Sequence, residues 1–314
     1  MGIYSGMDDA APSGSSGRAP GGAVFIIGSP RSGTSALSWA LAAHPDFATS
    51  AEADFPYYVM KSDAFADAWA KSVAREDGML AISGMDRQTF LRLLGTGIDA
   101  VFRAVHGDEV RWVDSSPANT IVADRLAEAI PDAKFIHIVR DGRAAVASMV
   151  KSGFDARVAQ DFRFACETWA FYVRKGRAMT AAMPERAMEL SQERMGEDPE
   201  GAMGEVLAFL GVGAHPGPAA QLRGGRINSS YGNAAAGDVK RPKSAEEMPR
   251  EPWADWTVEA WRTFCEVAGD VMDEAGYAWT RPELPPVVEE GASGDAPVAE
   301  AAATAAQPPG GAGA

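Results

Sequence analysis

Apolar residues along the chain form two patterns, short runs that are mostly apolar and longer stretches with helical spacing. The runs at residues 24–27, 111–113 and 134–139 are followed directly by Gly28, Asp114 and Arg140. Short runs that stop at glycine or charged residues are typical of buried strands. We therefore predict strands at these three places.

The longer stretches have apolar residues three or four positions apart, which is the spacing of an amphipathic helix. They cover residues 36–41, 65–74, 90–105, 121–129, 143–150, 158–183, 199–210 and 256–275, and a fourth strand is predicted at 187–190. Strands connected by helices form a parallel sheet that is covered by helices on both faces. The predicted fold class is therefore α/β.

Both ends of the chain differ in composition from its middle. Residues 1–21 are rich in Gly, Ser, Ala and Pro, and residues 284–314 form a low-complexity tail. Such segments bury too little apolar surface to offset the entropy of ordering the chain, so we expect both to be disordered. The remaining residues, 22–283, have the length of one ordinary domain.

The charge of the chain limits its partners. With 29 basic and 43 acidic residues the formal net charge is −14, and Lys and Arg form no long cluster. Because proteins bind nucleic acids by neutralising phosphates, this acidic balance argues against a nucleic-acid partner. Any anion that the protein binds should be small and held by a few local groups.

Cysteine content and hydropathy bear on the compartment. Cys166 and Cys265 each lie in a predicted amphipathic helix, so we expect two buried thiols and a reducing compartment. The first residues lack the apolar core of a signal peptide, and no stretch approaches the roughly 18 apolar residues of a membrane span. These features favour a cytoplasmic protein without a membrane span, and they do not indicate an oligomeric state.

The segment FIIGSPRSGTSALSWAL, residues 25–41, carries the clearest chemical signal. Gly28 and Gly33 are five positions apart, between a predicted strand and a predicted helix. Backbone N–H groups of such a loop surround a phosphate, and the positive end of the helix dipole faces it. An NTPase has Lys directly after the second glycine, but here Thr34 stands there and Arg31 lies inside the loop. We predict a loop that holds an anion without NTPase chemistry.

A second cation follows the strand predicted at 134–139. Ser148 lies eight positions after Arg140, in the second turn of a helix predicted to begin at Arg143. An Arg at a strand end and a hydroxyl in the next helix can share one phosphate. Two such sites on neighbouring strands suit a ligand with phosphates at two positions. The alternative is that Arg140 pairs with Asp141 and that Ser148 faces a neighbouring helix.

These two segments resemble the sulfotransferase family, most closely its tyrosylprotein sulfotransferase branch, and the resemblance extends over about residues 22–280. It implies a P-loop-NTPase-like fold without a metal. It also implies transfer of the sulfuryl group of 3′-phosphoadenosine 5′-phosphosulfate (PAPS) to a hydroxyl acceptor, with PAP as the product. By position, Arg140 and Ser148 would hold the 3′-phosphate. The 5′-phosphosulfate would be held by Arg31, Ser32, Gly33, Thr34 and Ser35.

The resemblance implies a general base as well. Cytosolic members have a catalytic His before a proline, but the matching position here is Ser115. In the tyrosylprotein branch the base is a Glu after the first helix, in a stretch that begins with His-Pro, and Glu52 matches it. Aromatic residues follow Glu52 and would help to raise its pKa. We predict Glu52 as the base, with Asp114 as the alternative. Structural positions are expected for His44, His106, His137 and His215.

Three parts of the chain depart from the family's pattern. Ser115 also stands where the family has an assisting Lys, so Arg31 would supply more of the charge stabilisation. Gln192 stands where a Tyr contacts the adenine. The last loop, RINSSYGNAAAGDVKRPKS, offers Ser229 or Ser230 as a hydrogen-bond donor to the bridging oxygen. It offers Lys240, Arg241 or Lys243 as a cation that closes over PAPS, and the alternative is a basic surface loop.

Two other functions stay open from the sequence. A small-molecule kinase with a degenerate phosphate loop shares the same strand, loop and helix, and a non-catalytic nucleotide-binding protein shares them too. The acceptor is not identified by a motif. We expect a small-molecule, sugar or lipid hydroxyl, because the acidic balance disfavours highly sulfated glycans and the stretch DFPYYVM could line an apolar or sugar-binding cleft.

Overall fold

The computed structural model of the protein describes residues 22–61, 69–152, 155–224 and 251–286. The chain divides into two units, Met1–Pro282 and Glu283–Ala314, and the elements described below all belong to the first unit. The predicted site residues Ser229 and Lys240 lie outside the described residues, as do residues 1–21 and most of the predicted tail.

A five-stranded parallel sheet forms the centre of the described residues. Its strands are β1 (Val24–Gly28), β2 (Phe47–Thr49), β3 (Arg111–Asp114), β4 (Lys134–Val139) and β5 (Ala187–Ser191). Their spatial order is β2-β3-β1-β4-β5, and every neighbouring pair is parallel. β1 pairs with β4 along its whole length, from Val24 opposite Lys134 to Gly28 opposite Ile138. This register brings the carboxyl ends of both strands to the same edge of the sheet.

Helices connect the strands and flank the sheet. They are α1 (Thr34–Leu41), α2 (Phe55–Lys61), α3 (Met79–Ser83), α4 (Arg87–His106), α5 (Ala123–Ala129), α6 (Gly142–Ser152), α7 (Ala156–Gln160), α8 (Phe162–Ala182), α9 (Gln192–Glu197), α10 (Pro199–Leu210), α11 (Pro216–Arg223) and α12 (Val258–Glu274). Residues 69–73 are also helical, and Pro117–Val122 form a 3₁₀ helix. Within the described ranges, no helix combines the length and the apolar composition that a membrane span needs.

Alternate side chains of β1 enter two different cores. Phe25 and Ile27 pack with residues of α4 and α5, whereas Val24 and Ile26 pack with residues of α1 and α10. All four side chains are fully buried. A third core joins α6, α8 and α12. A strand that is buried on both faces needs helices above and below it, so the predicted α/β sheet with helices on both faces is confirmed.

Differences from the predicted elements arise where a periodic signal is short or a capping residue interrupts it. The three-residue strand β2 and the short helices α2, α3, α9 and α11 were not predicted. The helix predicted at 158–183 is two helices, because the Asp161 carboxylate accepts the Phe164 N–H at 2.9 Å and caps α8. Cys166 is buried as predicted, but Cys265 is only half-buried, so the prediction of two buried thiols is wrong for Cys265.

The contact between α8 and β4 leaves no room for a side chain at Gly176. A Cβ there would lie 2.3 Å from the fully buried ring of His137. We expect Gly176→Ala to lower the free energy of unfolding by about 1–3 kcal/mol, the range for an overpacked core. Gly204→Ala in α10 is the matched control, because a Cβ there meets nothing within 4 Å. Alanine at residue 204 should stabilise the helix by up to about 1 kcal/mol.

Denaturant unfolding measures both variants. Equal shifts at the two glycines would contradict the close contact between α8 and the His137 ring.

Candidate active site

The loop between β1 and α1 adopts backbone conformations that few residues allow. Gly28 and Gly33 have φ angles of 152° and 98°, and Arg31 has a φ of 69° although it is not glycine. A Cβ on Gly28 would lie 2.4 Å from the Ile138 carbonyl oxygen, so only glycine permits this approach of β1 to β4. Left-handed residues within a loop turn successive N–H groups toward one side. The loop is therefore shaped as an anion-binding concavity.

Two features at the end of this loop require further hydrogen-bond partners. The Ser32 Oγ is buried, and no group in the described part of the chain forms a hydrogen bond with it. Helix α1 begins at Thr34, and its N-cap residue, Gly33, has no side chain to cap the N–H groups of the first turn. A buried hydroxyl and an uncapped helix start both require hydrogen-bond partners. The predicted residues Ser32, Gly33, Thr34 and Ser35 therefore fit around an anion.

Hydrogen bonds join this loop to the second predicted cation. The Arg31 Nε donates to the Ser148 Oγ at 3.2 Å, and the Arg140 Nη1 donates to the Arg31 carbonyl oxygen at 2.8 Å. Arg140 directly follows β4, and Ser148 lies in the second turn of α6, as predicted. The Asp141 carboxylate accepts hydrogen bonds from Arg143 at 3.1 and 2.6 Å. Arg31, Ser148 and Arg140 thus form one hydrogen-bonded array across two strand ends, which we call the cationic array.

Glu52 lies between β2 and α2 and interacts electrostatically with Arg31 of the cationic array. Its side chain reaches solvent, yet the surrounding protein atoms displace enough water to disfavour the charged form. This desolvation, together with repulsion from Asp54 and Asp114, raises the pKa of Glu52 to about 7, and Arg31 partly opposes the rise. A carboxylate that titrates near neutral pH is suited to accept a proton from a hydroxyl.

Asp114, the alternative base, is engaged in structural hydrogen bonds. Its Oδ1 accepts from the Ser116 N–H at 3.2 Å and from the Ser116 hydroxyl at 2.8 Å, and its Oδ2 accepts from the Asn119 Nδ2 at 2.6 Å. The Ser116 Oγ accepts the Asp54 N–H at 3.0 Å. Burial raises the pKa of Asp114, and these hydrogen bonds oppose the rise. Asp114 therefore supports the segment that carries Glu52, and this geometry favours Glu52 as the base.

Two more residues contact the anion-binding loop. Gln192, the predicted adenine contact, packs against the loop, because a Cβ on Gly33 would lie 3.0 Å from the Gln192 Cγ. Thr120 is not among the predicted site residues, yet its Oγ1 accepts the Gly28 N–H at 2.9 Å. The Thr120 hydroxyl thus fixes the last residue of β1. The run of hydroxyl residues in SSPANT, directly after a strand, was the available signal.

The histidines lie in positions with structural explanations. His137 is fully buried within β4, and His44 is buried just after α1. The His215 ring accepts the Gly217 N–H in the first turn of α11. His106 is the last residue of α4, one position beyond the helix predicted at 90–105, because the helix continues up to Gly107.

The fold and the site define a class of protein. A parallel α/β sheet with a glycine-flanked loop after β1 and a cation after β4 is arranged to hold an anionic ligand across two strand ends. Residues 23–216, more than half of the chain, match the model of the sulfotransferase family. The chain therefore belongs to the sulfotransferase family, as its motifs predicted.

Curated relatives with similar sequences are protein-tyrosine sulfotransferases. Protein-tyrosine sulfotransferase 2 of Gallus gallus is 31% identical over 198 residues, which are 60% of this chain and 51% of that protein. The protein-tyrosine sulfotransferase of Drosophila melanogaster is 27% identical over 196 residues, 60% of this chain and 38% of that protein. The chain thus spans about half the length, or less, of these relatives.

Solved structures share the fold. The sulfotransferase domain from the curacin biosynthetic pathway covers 85% of this chain and is itself covered completely, with 18% identity and a TM-score of 0.53. The sulfotransferase domain from the olefin synthase of Synechococcus PCC 7002 covers 84% of this chain, which in turn covers 97% of that domain, with 16% identity and a TM-score of 0.50. These similarities confirm the predicted P-loop-NTPase-like α/β fold class.

The hydrogen bonds of Asp114 predict a stability effect. Asp114→Asn places an amide N–H₂ group among hydrogen-bond donors, including the Asn119 Nδ2 that lies 2.6 Å from the Asp114 Oδ2. We expect a loss of about 1–3 kcal/mol in the free energy of unfolding, because buried donors then lack acceptors. Asp124→Asn is the control, since Asp124 is an exposed carboxylate that pairs with Lys175 at 3.6 Å.

The control should stay within about 0.5 kcal/mol of the parent in denaturant unfolding. If Asp114→Asn were as stable as the parent, the hydrogen bonds around Asp114 would not hold the segment that carries Glu52.

Proposed function

We propose that this protein transfers the sulfuryl group of PAPS to a hydroxyl acceptor, with Glu52 as the general base. The observation that carries the proposal is the cationic array, in which Arg31 and Arg140 come from the ends of adjacent strands and share hydrogen bonds. PAPS has anionic groups at its 5′ and 3′ positions, and the array offers cations for both. Membership of the sulfotransferase family supports the same reaction.

The residues of the array fit a ligand of this kind. The Ser32 hydroxyl and the uncapped start of α1 would receive the 5′-phosphosulfate beside Arg31. Arg140 and Ser148 would hold the 3′-phosphate, since the Ser148 oxygen accepts from Arg31 and its own hydrogen is left to donate. Gln192 would contact the adenine. Ser229 and Lys240 would complete the site from the last loop.

Glu52 would take the proton of the acceptor hydroxyl while the acceptor oxygen attacks sulfur. A new O–S bond forms, the bond from sulfur to the 5′-phosphate oxygen breaks, and its electron pair stays on PAP. Arg31 would stabilise the charge that develops on the leaving oxygen, and Ser229 would donate a hydrogen bond to it. The raised pKa of Glu52 supports the base role, because it lies close to the pH at which the proton must be taken.

Aromatic side chains follow Glu52 along the chain. Tyr57 and Tyr58 follow it in α2, with ring centroids 5.2 Å apart. Burial, and the neighbouring Tyr57, raise the pKa of Tyr172, so this third phenol also lies near α2. Because aromatic rings bind apolar groups and the faces of sugars, we propose a small-molecule, sugar or lipid hydroxyl as the acceptor.

A tyrosine hydroxyl of a protein is the second candidate acceptor. It is favoured by the names of the relatives in Gallus gallus and Drosophila melanogaster, which record protein tyrosine as their substrate. Incubation of the protein with PAPS and each acceptor class separates the two candidates. Mass spectrometry detects the gain of one sulfo group, and the class that is modified at the higher kcat/KM identifies the acceptor.

Arg140 should distinguish ligands with and without a 3′-phosphate. We expect Arg140→Ala to weaken the binding of PAP at least about tenfold more than the binding of adenosine 5′-phosphosulfate, because only PAP has the 3′-phosphate. Ser148→Ala should discriminate less, since its hydroxyl also holds the Arg31 side chain. Lys151→Ala, an exposed residue late in α6, is the control and should change neither affinity.

Isothermal titration calorimetry of the parent and the three variants with each ligand gives these affinities. Equal losses of PAP and adenosine 5′-phosphosulfate in Arg140→Ala would mean that the 3′-phosphate site is assigned wrongly.

Glu52 should control the rate of transfer without controlling the binding of PAPS. We expect the Glu52→Gln variant to be saturated by the same PAPS concentration as the parent. Its single-turnover rate should fall about 10²- to 10⁴-fold, the range for a general base. The parental rate should rise with pH through about 7 or slightly above, since only ionised Glu52 accepts a proton and bound anions raise its pKa further.

Asp54→Asn is the matched control for the pH dependence. Repulsion from Asp54 raises the pKa of Glu52, so its removal should move the inflection to lower pH and keep the base. A parental rate for Glu52→Gln would transfer the role of base to Asp114.

A further inference from the structure

The peptide between Arg140 and Asp141 is held by residues from distant parts of the chain. One carboxylate oxygen of Glu193, the second residue of α9, accepts the Asp141 N–H at 2.9 Å. The other oxygen accepts the Tyr277 hydroxyl at 3.2 Å. Glu193 therefore connects the loop that presents Arg140 to the segment that follows α12.

Other side chains fix the same loop from further directions. The Trp169 Nε1 donates to the Arg140 carbonyl oxygen at 3.1 Å. The Gly142 N–H donates to the Met272 Sδ of α12 at 3.2 Å. Successive backbone groups of the loop thus have side-chain partners, so those side chains set the orientation of the peptides.

The charge of Glu193 is informative. A carboxylate close to a phosphate site repels the ligand, and direct contact with the phosphate cannot explain its presence there. Its hydrogen bond to the Asp141 N–H supplies another explanation, because a charged acceptor holds a backbone N–H more strongly than a neutral one. Burial and the adjacent Glu193 raise the pKa of Tyr277, so its phenol stays protonated and keeps donating to the carboxylate.

We propose that Glu193 and Tyr277 are positioning residues for the 3′-phosphate site, and that the segment after residue 250 takes part in PAPS recognition through them. The proposal rests on the proposed function. Tyr277 lies outside residues 23–216, which match the family model, so the link follows from the structure of this chain. Without Glu193 the peptide before Asp141 turns more freely, and the Arg140 side chain loses its fixed direction toward the array.

Affinities for PAP and for adenosine 5′-phosphosulfate test the proposal. Glu193→Ala should lower the affinity for PAP by about tenfold or more and the affinity for adenosine 5′-phosphosulfate by no more than about twofold. The reason is that a hydrogen bond to a charged group is lost only at the 3′ side. Glu193→Gln should recover most of the PAP affinity, since its amide oxygen still accepts the Asp141 N–H. Tyr277→Phe should lower the affinity for PAP by a smaller factor than Glu193→Ala does, and it should leave the affinity for adenosine 5′-phosphosulfate nearly unchanged.

A neighbouring carboxylate provides the matched control. Glu205 of α10 accepts hydrogen bonds at 2.7 and 2.6 Å from Arg194, which follows Glu193 in α9, and both side chains are exposed. Glu205→Gln should leave both affinities at the parental values. Thermal unfolding of the variants without ligand checks that each is folded, and Tyr277→Phe provides the readout if Glu193→Ala is not.

The possible outcomes separate the inference from the proposed function. The positioning role would be overturned if Glu193→Ala and Tyr277→Phe weakened the binding of both ligands equally, or if both variants bound PAP with parental affinity. It would also be overturned if Glu205→Gln lowered the affinity for PAP. A parent protein that binds neither PAP nor PAPS would overturn the proposed function, and this inference with it.

Discussion

The in-register pairing of β1 with β4 is the constraint on which the candidate active site depends. It sets Gly28 opposite Ile138, so both strands end at one edge of the sheet, where the chain turns into α1 and α6. Arg31 and Arg140 meet there although they are 109 positions apart. The net charge of the chain is −14, so the local arrangement of cations decides which ligand this edge holds.

The same edge contains a carboxylate that opposes folding. The pKa of Glu52 is raised from 4.5 to about 7 in the folded protein, mainly because water is displaced around it. At this side chain the native state therefore binds more protons than the unfolded state in this range, and the contribution of Glu52 to stability falls as pH rises from about 4.5 to about 7. Asp114 and Ser116 hold the segment in place despite this effect, through hydrogen bonds that are independent of Glu52.

Much of the fold could be predicted from the sequence because β1 and β4 are apolar, continuous and buried on both faces. β2 could not, since three residues carry no periodic signal. The positions of Arg31, Arg140 and Ser148 followed from strand ends and helical turns. The hydroxyl run SSPANT was a local signal for Thr120, but the partners of Thr120 and Glu193 could not be predicted, because they depend on how separate segments meet in three dimensions.

The pKa of Glu52 has a consequence for the heat of ligand binding. Because the pKa of this carboxyl is raised to about 7, it binds a proton near neutral pH, and an anion that binds beside it favours the protonated form. The protein must then take up part of a proton from the buffer for each anion that it binds. Calorimetric enthalpies will therefore vary with the ionisation enthalpy of the buffer, and that variation measures the net number of protons exchanged on binding, to which Glu52 contributes.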